Sequence, residues 1–301
     1  MGEPAGIGPE LALAAYGMLG GRMGRHPLKL VGDPAVFGAA DAPVIATKAR
    51  ARRTPGRPDP ANAGAVTEAI EIAVDACMKG EAAGIVTAPI HKAVLAQAGF
   101  AHPGHTEFLG ALTGVRRPVM MLASNTLRVV PLSIHIPIAK VPAAITRQAV
   151  FDTGEIILTA LRREFGLLNP RRAVAGLNPH AGEDGVLGDE ESRVIAPAVA
   201  ALQARGFSVT GPLSADTMFH DEARARYDAA LCMYHDQALI PIKTLSFWDG
   251  VNVTLGLPIV RTSPDHGTAL DIAGRGTADP RSMIAAIKMA AAMADARGSG
   301  Q

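Results

Sequence analysis

Three of the nine histidines follow short apolar runs of the kind that form β-strands. They are His135, His180 and His235. An α/β sheet gathers its ligands at the carboxyl ends of its strands, so we expect the three imidazoles at one edge of the sheet. Imidazole binds zinc and other first-row divalent ions, and three such ligands leave coordination positions open for a substrate. Each histidine alone is better explained as a surface or core residue, but their shared placement favours a metal site.

A second group of residues is suited to an anion. The segment GHTEF at 104–108 predicts the start of a helix with Thr106 near its N-terminus. Exposed backbone N–H groups, the helix dipole, a hydroxyl and an imidazole at that point suit a phosphate. Lys243 and Arg261 stand in apolar surroundings and supply fixed positive charge. The simpler alternatives are an ordinary helix cap for Thr106 and surface charge for the two basic residues.

A third feature is the glycine-bearing loop 265–274, which leads into a helical segment. It is not the G-x-G-x-x-G fingerprint of dinucleotide-binding folds, and the sequence contains neither a Walker lysine nor a G-x-S-x-G elbow. The residues by themselves therefore predict an α/β enzyme with a metal site and a phosphate site, and they leave the reaction open.

The elements that must position these groups alternate along the chain. Short β-branched runs predict strands, and alanine-rich runs between them predict helices packed on the faces of a sheet. The predicted strands are 28–32, 84–87, 119–122, 127–132, 173–177 and 229–233. The predicted helices are 9–19, 63–79, 153–165, 190–205 and 280–296.

The composition limits the classes of partner. A net charge of +1 gives no electrostatic reason to expect a nucleic acid or an anionic membrane. The two cysteines lie far apart in apolar surroundings, which indicates a reducing compartment without a disulfide framework and favours the cytoplasm. The segment 2–10 predicts a loop leading into a helix, with no strand before it. We therefore expect either a natural start further upstream or a trimmed chain.

Six motifs spread along the chain are specific enough to indicate a family. They are GEPAGIGPE at 2–10, GHTEF at 104–108, LNPHAGE at 177–183, MYHDQ at 233–237, GVNVTLGLP at 250–258 and RTSPDHGT at 261–268. Through them the sequence resembles the 4-hydroxythreonine-4-phosphate dehydrogenases of vitamin B6 synthesis almost from end to end. In that family three histidines bind the metal, and they match His135, His180 and His235. The residues that match the family's substrate-binding positions are His105, Thr106, Lys243, Asn252 and Arg261.

The resemblance implies the fold of isopropylmalate and isocitrate dehydrogenases, with two α/β/α lobes and the active site in the cleft between them. Its nucleotide-binding lobe is expected to be discontinuous, from 1–100 plus 254–301. Residues 101–253 are expected to form the metal, substrate and dimerisation lobe. The family works as a homodimer, and the resemblance implies that His235 reaches the metal from the other subunit, so that the site exists only in the dimer.

The loop that starts at His266 also resembles the adenosine-binding loop of isopropylmalate dehydrogenases. Its matching residues are His266, Gly267, Thr268, Ala269 and Asp271. An acidic residue at the position of Asp271 favours NAD, because a carboxylate bonds the ribose 2′-hydroxyl but repels the 2′-phosphate of NADP. The resemblance therefore implies NAD as the preferred cofactor, NADP as the alternative, and zinc, magnesium or cobalt as the metal.

The implied reaction is the oxidation of 4-phosphooxy-L-threonine at C3, followed by loss of CO2 to give 3-amino-2-oxopropyl phosphate in pyridoxine biosynthesis. Lys243, Asp216 and Asp236 remain alternative proton acceptors. A paralogue that acts on 4-phosphoerythronate or 4-phospho-D-threonate would keep every motif. A dihydrodiol dehydrogenase is disfavoured by the His105-Thr106 pair. A three-histidine metallohydrolase or a non-catalytic binding protein is disfavoured by the nucleotide loop.

Overall fold

The computed structural model describes residues 1–38 and 41–299. The chain divides into two compact units, unit 1 with residues 1–118 and 257–295, and unit 2 with residues 119–256 and 296–301. The helices are α1 (Gly8–Met18), α2 (Pro34–Phe37), α3 (Ala63–Met78), α4 (Lys92–Gln97), α5 (His105–Thr113), α6 (Val141–Ala144), α7 (Arg147–Phe165), α8 (Ala196–Ala204), α9 (Asp221–Arg224), α10 (His235–Leu245) and α11 (Arg281–Ser299). The strands are β1 (Arg22–Met23), β2 (His26–Pro27), β3 (Leu30–Gly32), β4 (Val44–Ala46), β5 (Ile85–Val86), β6 (Val119–Ala123), β7 (Arg128–Pro131), β8 (Arg171–Ala175), β9 (Ser208–Leu213), β10 (Ala229–Cys232), β11 (Val251–Leu255) and β12 (Arg261–Pro264).

Unit 1 is built on two pairs of parallel strands. β3 pairs with β4, and β5 pairs with β12 so that Arg261 lies opposite Ile85. Helix α3 packs against both β3 and β5. Its Ile70 and Val74 are four residues apart, and both enter a buried cluster with Leu109 and Leu257. This cluster fixes α5 and the start of β12, which carry His105 and Arg261.

Unit 2 contains a mixed sheet in the order β11-β6-β7-β10-β8-β9. Strands β7, β10, β8 and β9 are parallel, whereas β6 runs antiparallel to both of its neighbours, β11 and β7. All four residues of β10 are buried, as expected for a central parallel strand with both faces covered. Because β7, β10 and β8 are parallel neighbours, the segments that follow them start at the same edge of the sheet. Those segments carry His135, His235 and His180.

Helix α7 covers this sheet and shows how local sequence sets an element's limits. The Thr146 side chain accepts a hydrogen bond from the backbone N–H of Ala149, which caps the N-terminus of the helix. Gly166 ends the helix in the left-handed region, with φ of 67°. Between these ends Ile157 and Leu161 are fully buried. Capping and an apolar face together give a helix longer than the predicted 153–165.

The compact units do not divide the chain where the lobes were predicted to divide. Helix α5 lies in unit 1, whereas residues from 101 onward were assigned to the metal and substrate lobe. Which residues act as functional lobes remains a prediction. In the part of the chain that the structure describes, no helix is long and apolar enough to cross a membrane.

Candidate functional site

His135 and His235 lie side by side in unit 2. Their ring centroids are 5.8 Å apart, and the ring planes are inclined by 42°. Two imidazoles on one ion, each with a metal–nitrogen bond of about 2 Å, place their centroids roughly 5 to 6 Å apart. The observed spacing therefore fits two ligands of a single metal ion.

The ring of His235 is oriented by a neighbouring carboxylate. Its Nδ1 lies 2.6 Å from Oδ1 of Asp236, which fixes that nitrogen and leaves Nε2 for another partner. A carboxylate on the far nitrogen is the usual companion of a metal-binding histidine, since it sets the tautomer and makes the imidazole more basic. Asp236 therefore orients the ring of His235 as such a carboxylate would.

His180 stands in a backbone turn of unusual conformation. Four non-glycine residues in this turn have positive φ, at 51° for His180, 52° for Ala181, 43° for Glu183 and 54° for Asp184. Such conformations are unfavourable for side chains with a Cβ atom and persist only when the surroundings enforce them. Strained backbone of this kind concentrates at functional sites.

The three histidines do not form a closed metal site within one chain. Among the described residues, no group of three or more His, Cys, Asp or Glu side chains is placed to hold a metal ion. The structure brings His135 and His235 together and places His180 in a turn after the adjacent parallel strand β8. The histidine triad consequently stays a prediction.

The candidate proton acceptors occupy two elements of unit 2. Asp236 and Lys243 lie on α10 seven residues apart, which places them on the same helical face. Asp216 lies in a short 3₁₀ turn and accepts a hydrogen bond from Ser214 Oγ at 2.5 Å. That bond holds the pKa of Asp216 below its usual value, and the nearby His180 contributes in the same direction. Asp216 therefore lies near enough to His180 for their charges to interact, whereas Asp236 is hydrogen-bonded to His235.

The predicted phosphate-binding residues share unit 1. Helix α5 begins at His105, and Gly104 before it provides no side-chain cap, so the first N–H groups of the helix have no capping side chain. The Nε2 atom of His105 is buried and has no hydrogen-bond partner among the described residues. Burial lowers the pKa of His105 well below its usual value, and the charges of Arg261 and Lys92 add to the effect. His105 is consequently neutral and surrounded by positive charge.

Arg261 is the buried cation of this group. Its side chain is 3% exposed, and its Nη2 donates to Thr87 Oγ1 at 2.8 Å. Burial lowers the pKa of Arg261 to about 10, so it remains charged at neutral pH. A desolvated guanidinium beside an uncapped helix N-terminus is well suited to bind a phosphate.

Lys92 is a member of this group that the sequence did not reveal. A Cβ atom added at Gly104 would lie 3.4 Å from Lys92 Nζ, which places this cation at the start of α5. Lys92 follows His91 at the beginning of α4, and nothing in the local pattern connects it with α5. The only available signal was its position shortly after β5, at the carboxyl end of a parallel strand.

The predicted cofactor loop packs against the N-terminal loop. The backbone N–H of Ile7 donates to the carbonyl of Thr268 at 3.0 Å, and a Cβ atom at Gly6 would come within 2.8 Å of that carbonyl. Glycine at position 6 thus permits the close approach. Asp271 is exposed, as the predicted hydrogen bond to a ribose requires. His266 Nε2 is buried and has no partner in the described part of the chain.

The fold and these residues define the class of protein as an α/β enzyme with the isopropylmalate dehydrogenase-like fold. A family model described as "Pyridoxal phosphate biosynthetic protein PdxA" matches residues 25–290. The chain belongs to this family, which confirms the resemblance seen in the motifs.

Individual relatives agree with the family assignment. A 4-hydroxythreonine-4-phosphate dehydrogenase from Paracoccus denitrificans is 54% identical over 317 residues, covering 98% of this chain and 97% of that protein. One from Methylorubrum populi is 51% identical over 325 residues, covering 98% and 93%. A crystal structure of the enzyme from Klebsiella pneumoniae superposes with a TM-score of 0.87 at 36% identity, covering 98% of each chain. The predicted fold class and the assignment to a family of oxidoreductases are confirmed.

Proposed function

We propose that this chain catalyses the NAD(P)-dependent oxidation and decarboxylation of 4-phosphooxy-L-threonine to 3-amino-2-oxopropyl phosphate in pyridoxal phosphate biosynthesis. One observation carries the assignment to particular residues. Three residues selected from the sequence as binding substrate or cofactor each carry a buried polar atom without a partner in the described chain. These atoms are His105 Nε2, Asn252 Oδ1 and His266 Nε2. Buried polar atoms are nearly always hydrogen-bonded, so their coincidence with the predicted positions supports bound ligands there.

The donor set fits the metal and the nicotinamide that the proposal requires. His135, His180 and His235 would hold a divalent ion that would supply Lewis-acid stabilisation of negative charge on the substrate, and the loop from His266 to Asp271 would hold the nicotinamide cofactor that serves as hydride acceptor. Zinc, magnesium and cobalt remain the candidate metals, with NAD preferred to NADP because of the carboxylate of Asp271.

The residues of the chain orient the substrate and move its proton. Arg261, Lys92 and the N-terminus of α5 bind the phosphate, and the neutral His105 can donate to it or accept from it. Asn252 offers a buried amide oxygen to the substrate amine or hydroxyl. The proton of the C3 hydroxyl passes to one of Lys243, Asp216 and Asp236. Loss of CO2 then leaves an electron pair that is protonated at the former C2 position.

A panel of substrates tests the proposal. NADH formation is measured with metal-replete protein and 4-phosphooxy-L-threonine, 4-phosphoerythronate, 4-phospho-D-threonate or a cis-dihydrodiol. We expect the highest kcat/KM with 4-phosphooxy-L-threonine. A higher kcat/KM with another compound would assign the protein to that substrate. The absence of turnover with every compound would contradict the proposed activity. The remaining alternatives would then be a metal-dependent hydrolase or a non-catalytic binding protein.

The proposal includes a homodimer in the cytoplasm with the active site at the subunit interface. The resemblance implies that His235 completes the metal site of the partner, whereas its spacing from His135 also fits an ion bound within one chain, so the two arrangements must be separated by experiment. Helix α10, which carries His235, and the residues Phe247 and Trp248 just after it expose large apolar side chains. Ile240 is 64% exposed, Phe247 67% and Trp248 49%. Exposed large apolar side chains grouped in this way are typical of an interface. A second copy of the chain would cover these side chains. By symmetry, each copy would then supply its His235 to the metal site of the other.

Mixing two inactive variants provides a direct check of this arrangement. If His235 acts in trans, a heterodimer of His180→Ala and His235→Ala has one intact site and one site with both ligands missing. Random exchange of equal amounts should restore about a quarter of the wild-type activity per site. The measurement is NADH formation before and after subunit exchange. If His235 acts within its own chain, every site stays broken, so unchanged inactivity would contradict the shared site.

A further inference from the structure

Glu191 is a buried carboxylate that the proposed reaction does not use. Glu191 is 4% exposed and begins a π-helical segment, Glu191–Ile195. The sequence had predicted a regular α-helix over 190–205 at this place. Insertions of this kind are frequent at functional sites, because they turn a side chain away from the regular helical direction. The carboxylate of Glu191 points to the segment that leads to His180.

Both oxygens of Glu191 bind that segment. Oε1 accepts the backbone N–H groups of Leu177 at 2.7 Å and Asn178 at 2.8 Å. Oε2 accepts from Asn178 Nδ2 at 2.9 Å. Hydrogen bonds to an ionised acceptor are roughly twice as strong as neutral ones. Three of them therefore fix the two residues that stand just before Pro179 and His180.

The chain also closes tightly around the carboxylate. A Cβ atom at Gly182 would lie 2.7 Å from Oε2, and one at Gly176 would lie 3.0 Å from Oε1. Only glycine fits at these positions without displacing Glu191. The backbone before His180 and the backbone after it therefore both pack against the Glu191 carboxylate.

The packing around Glu191 can offset the cost of the positive φ angles from His180 to Asp184. A run of such residues costs on the order of 1–2 kcal/mol for each one and needs surroundings that hold it in place. We propose that Glu191 is a positioning residue, which holds the strained turn so that the His180 imidazole is presented to the metal. This inference rests on the proposed function, because it takes His180 to be a ligand.

The test compares metal binding by wild type, Glu191→Gln and Asp189→Asn. Glutamine keeps the shape, but its NH2 group would face the Asn178 amide donor. Asp189 lies two residues away, is 64% exposed and pairs with Arg193, so it is a matched control. Calorimetry with Co²⁺ and amide hydrogen exchange of residues 176–188 are the measurements. We expect about 10- to 100-fold weaker Co²⁺ binding and faster exchange for Glu191→Gln, with wild-type behaviour for Asp189→Asn.

The outcomes separate the two hypotheses. Equal Co²⁺ affinity in wild type and Glu191→Gln would overturn the positioning role and leave the proposed function intact. A wild type that binds Co²⁺ but does not oxidise the substrate would contradict the proposed reaction alone. Unchanged hydrogen exchange in β10 of Glu191→Gln is required to show that the fold persists, and a general loss of protection there would count against a local role.

Discussion

Replacement of His180 by alanine is expected to abolish NADH formation and to weaken Co²⁺ binding by at least about 100-fold, while the protein remains folded. Removing one of three imidazoles leaves an ion with two protein ligands, and Lewis-acid stabilisation is lost with the ion. The effect on stability should be small or favourable, because the substitution removes a polar side chain from a strained turn and buries nothing new. Calorimetry with Co²⁺ and the rate of NADH formation are the measurements.

A matched control is available in the same unit. His220 is exposed and lies at the start of α9, so His220→Ala changes an imidazole without touching the predicted ligands. We expect wild-type activity and metal affinity for this control. If His180→Ala retained wild-type Co²⁺ affinity, His180 would not be a ligand, and the remaining pair of His135 and His235 would have to hold the metal with another group.

The second large effect is expected from Arg261→Lys. Lysine keeps a charge but cannot form the two parallel hydrogen bonds of a guanidinium with a phosphate. We expect kcat/KM for the phosphorylated substrate to fall by about 100-fold or more. The loss should be much smaller for 4-hydroxythreonine without its phosphate, which makes no such contact in either protein.

The comparison of the two substrates separates recognition from folding. Arg281→Lys is the control, because the Arg281 side chain is 58% exposed and pairs with Asp279 at the start of α11. A similar loss on both substrates would indicate that Arg261 supports the structure of β12 and would remove it from the phosphate site. No loss on either would place the phosphate elsewhere.

Sequence patterns located the strands with continuous apolar runs. The six predicted strands correspond to β3, β5, β6, β7, β8 and β10. All of these except β6 have a parallel partner, and buried parallel strands are apolar throughout. Elements with broken patterns were missed. β9 contains Gly211 and Pro212, and α10 contains Pro241, and each of these residues disfavours the element in which it lies. Tertiary packing outweighs these local preferences.

The histidines illustrate the same limit at the site. Their placement after neighbouring parallel strands was predictable, because sheet topology follows from alternating elements. The left-handed turn at His180 was not, because four of its five residues are not glycine and no propensity favours positive φ for them. The turn depends on Glu191, and the contact of Lys92 with the start of α5 likewise depends on the tertiary structure.

We propose that the chain couples oxidation of a phosphorylated hydroxy-amino acid to its decarboxylation. The most direct measurement is the yield of NADH and of CO2 from a known amount of 4-phosphooxy-L-threonine, before and after removal of divalent metal. We predict one NADH and one CO2 for each substrate molecule, no turnover after chelation, and recovery when metal is restored. NADH without CO2, or turnover that persists after chelation, would contradict the account.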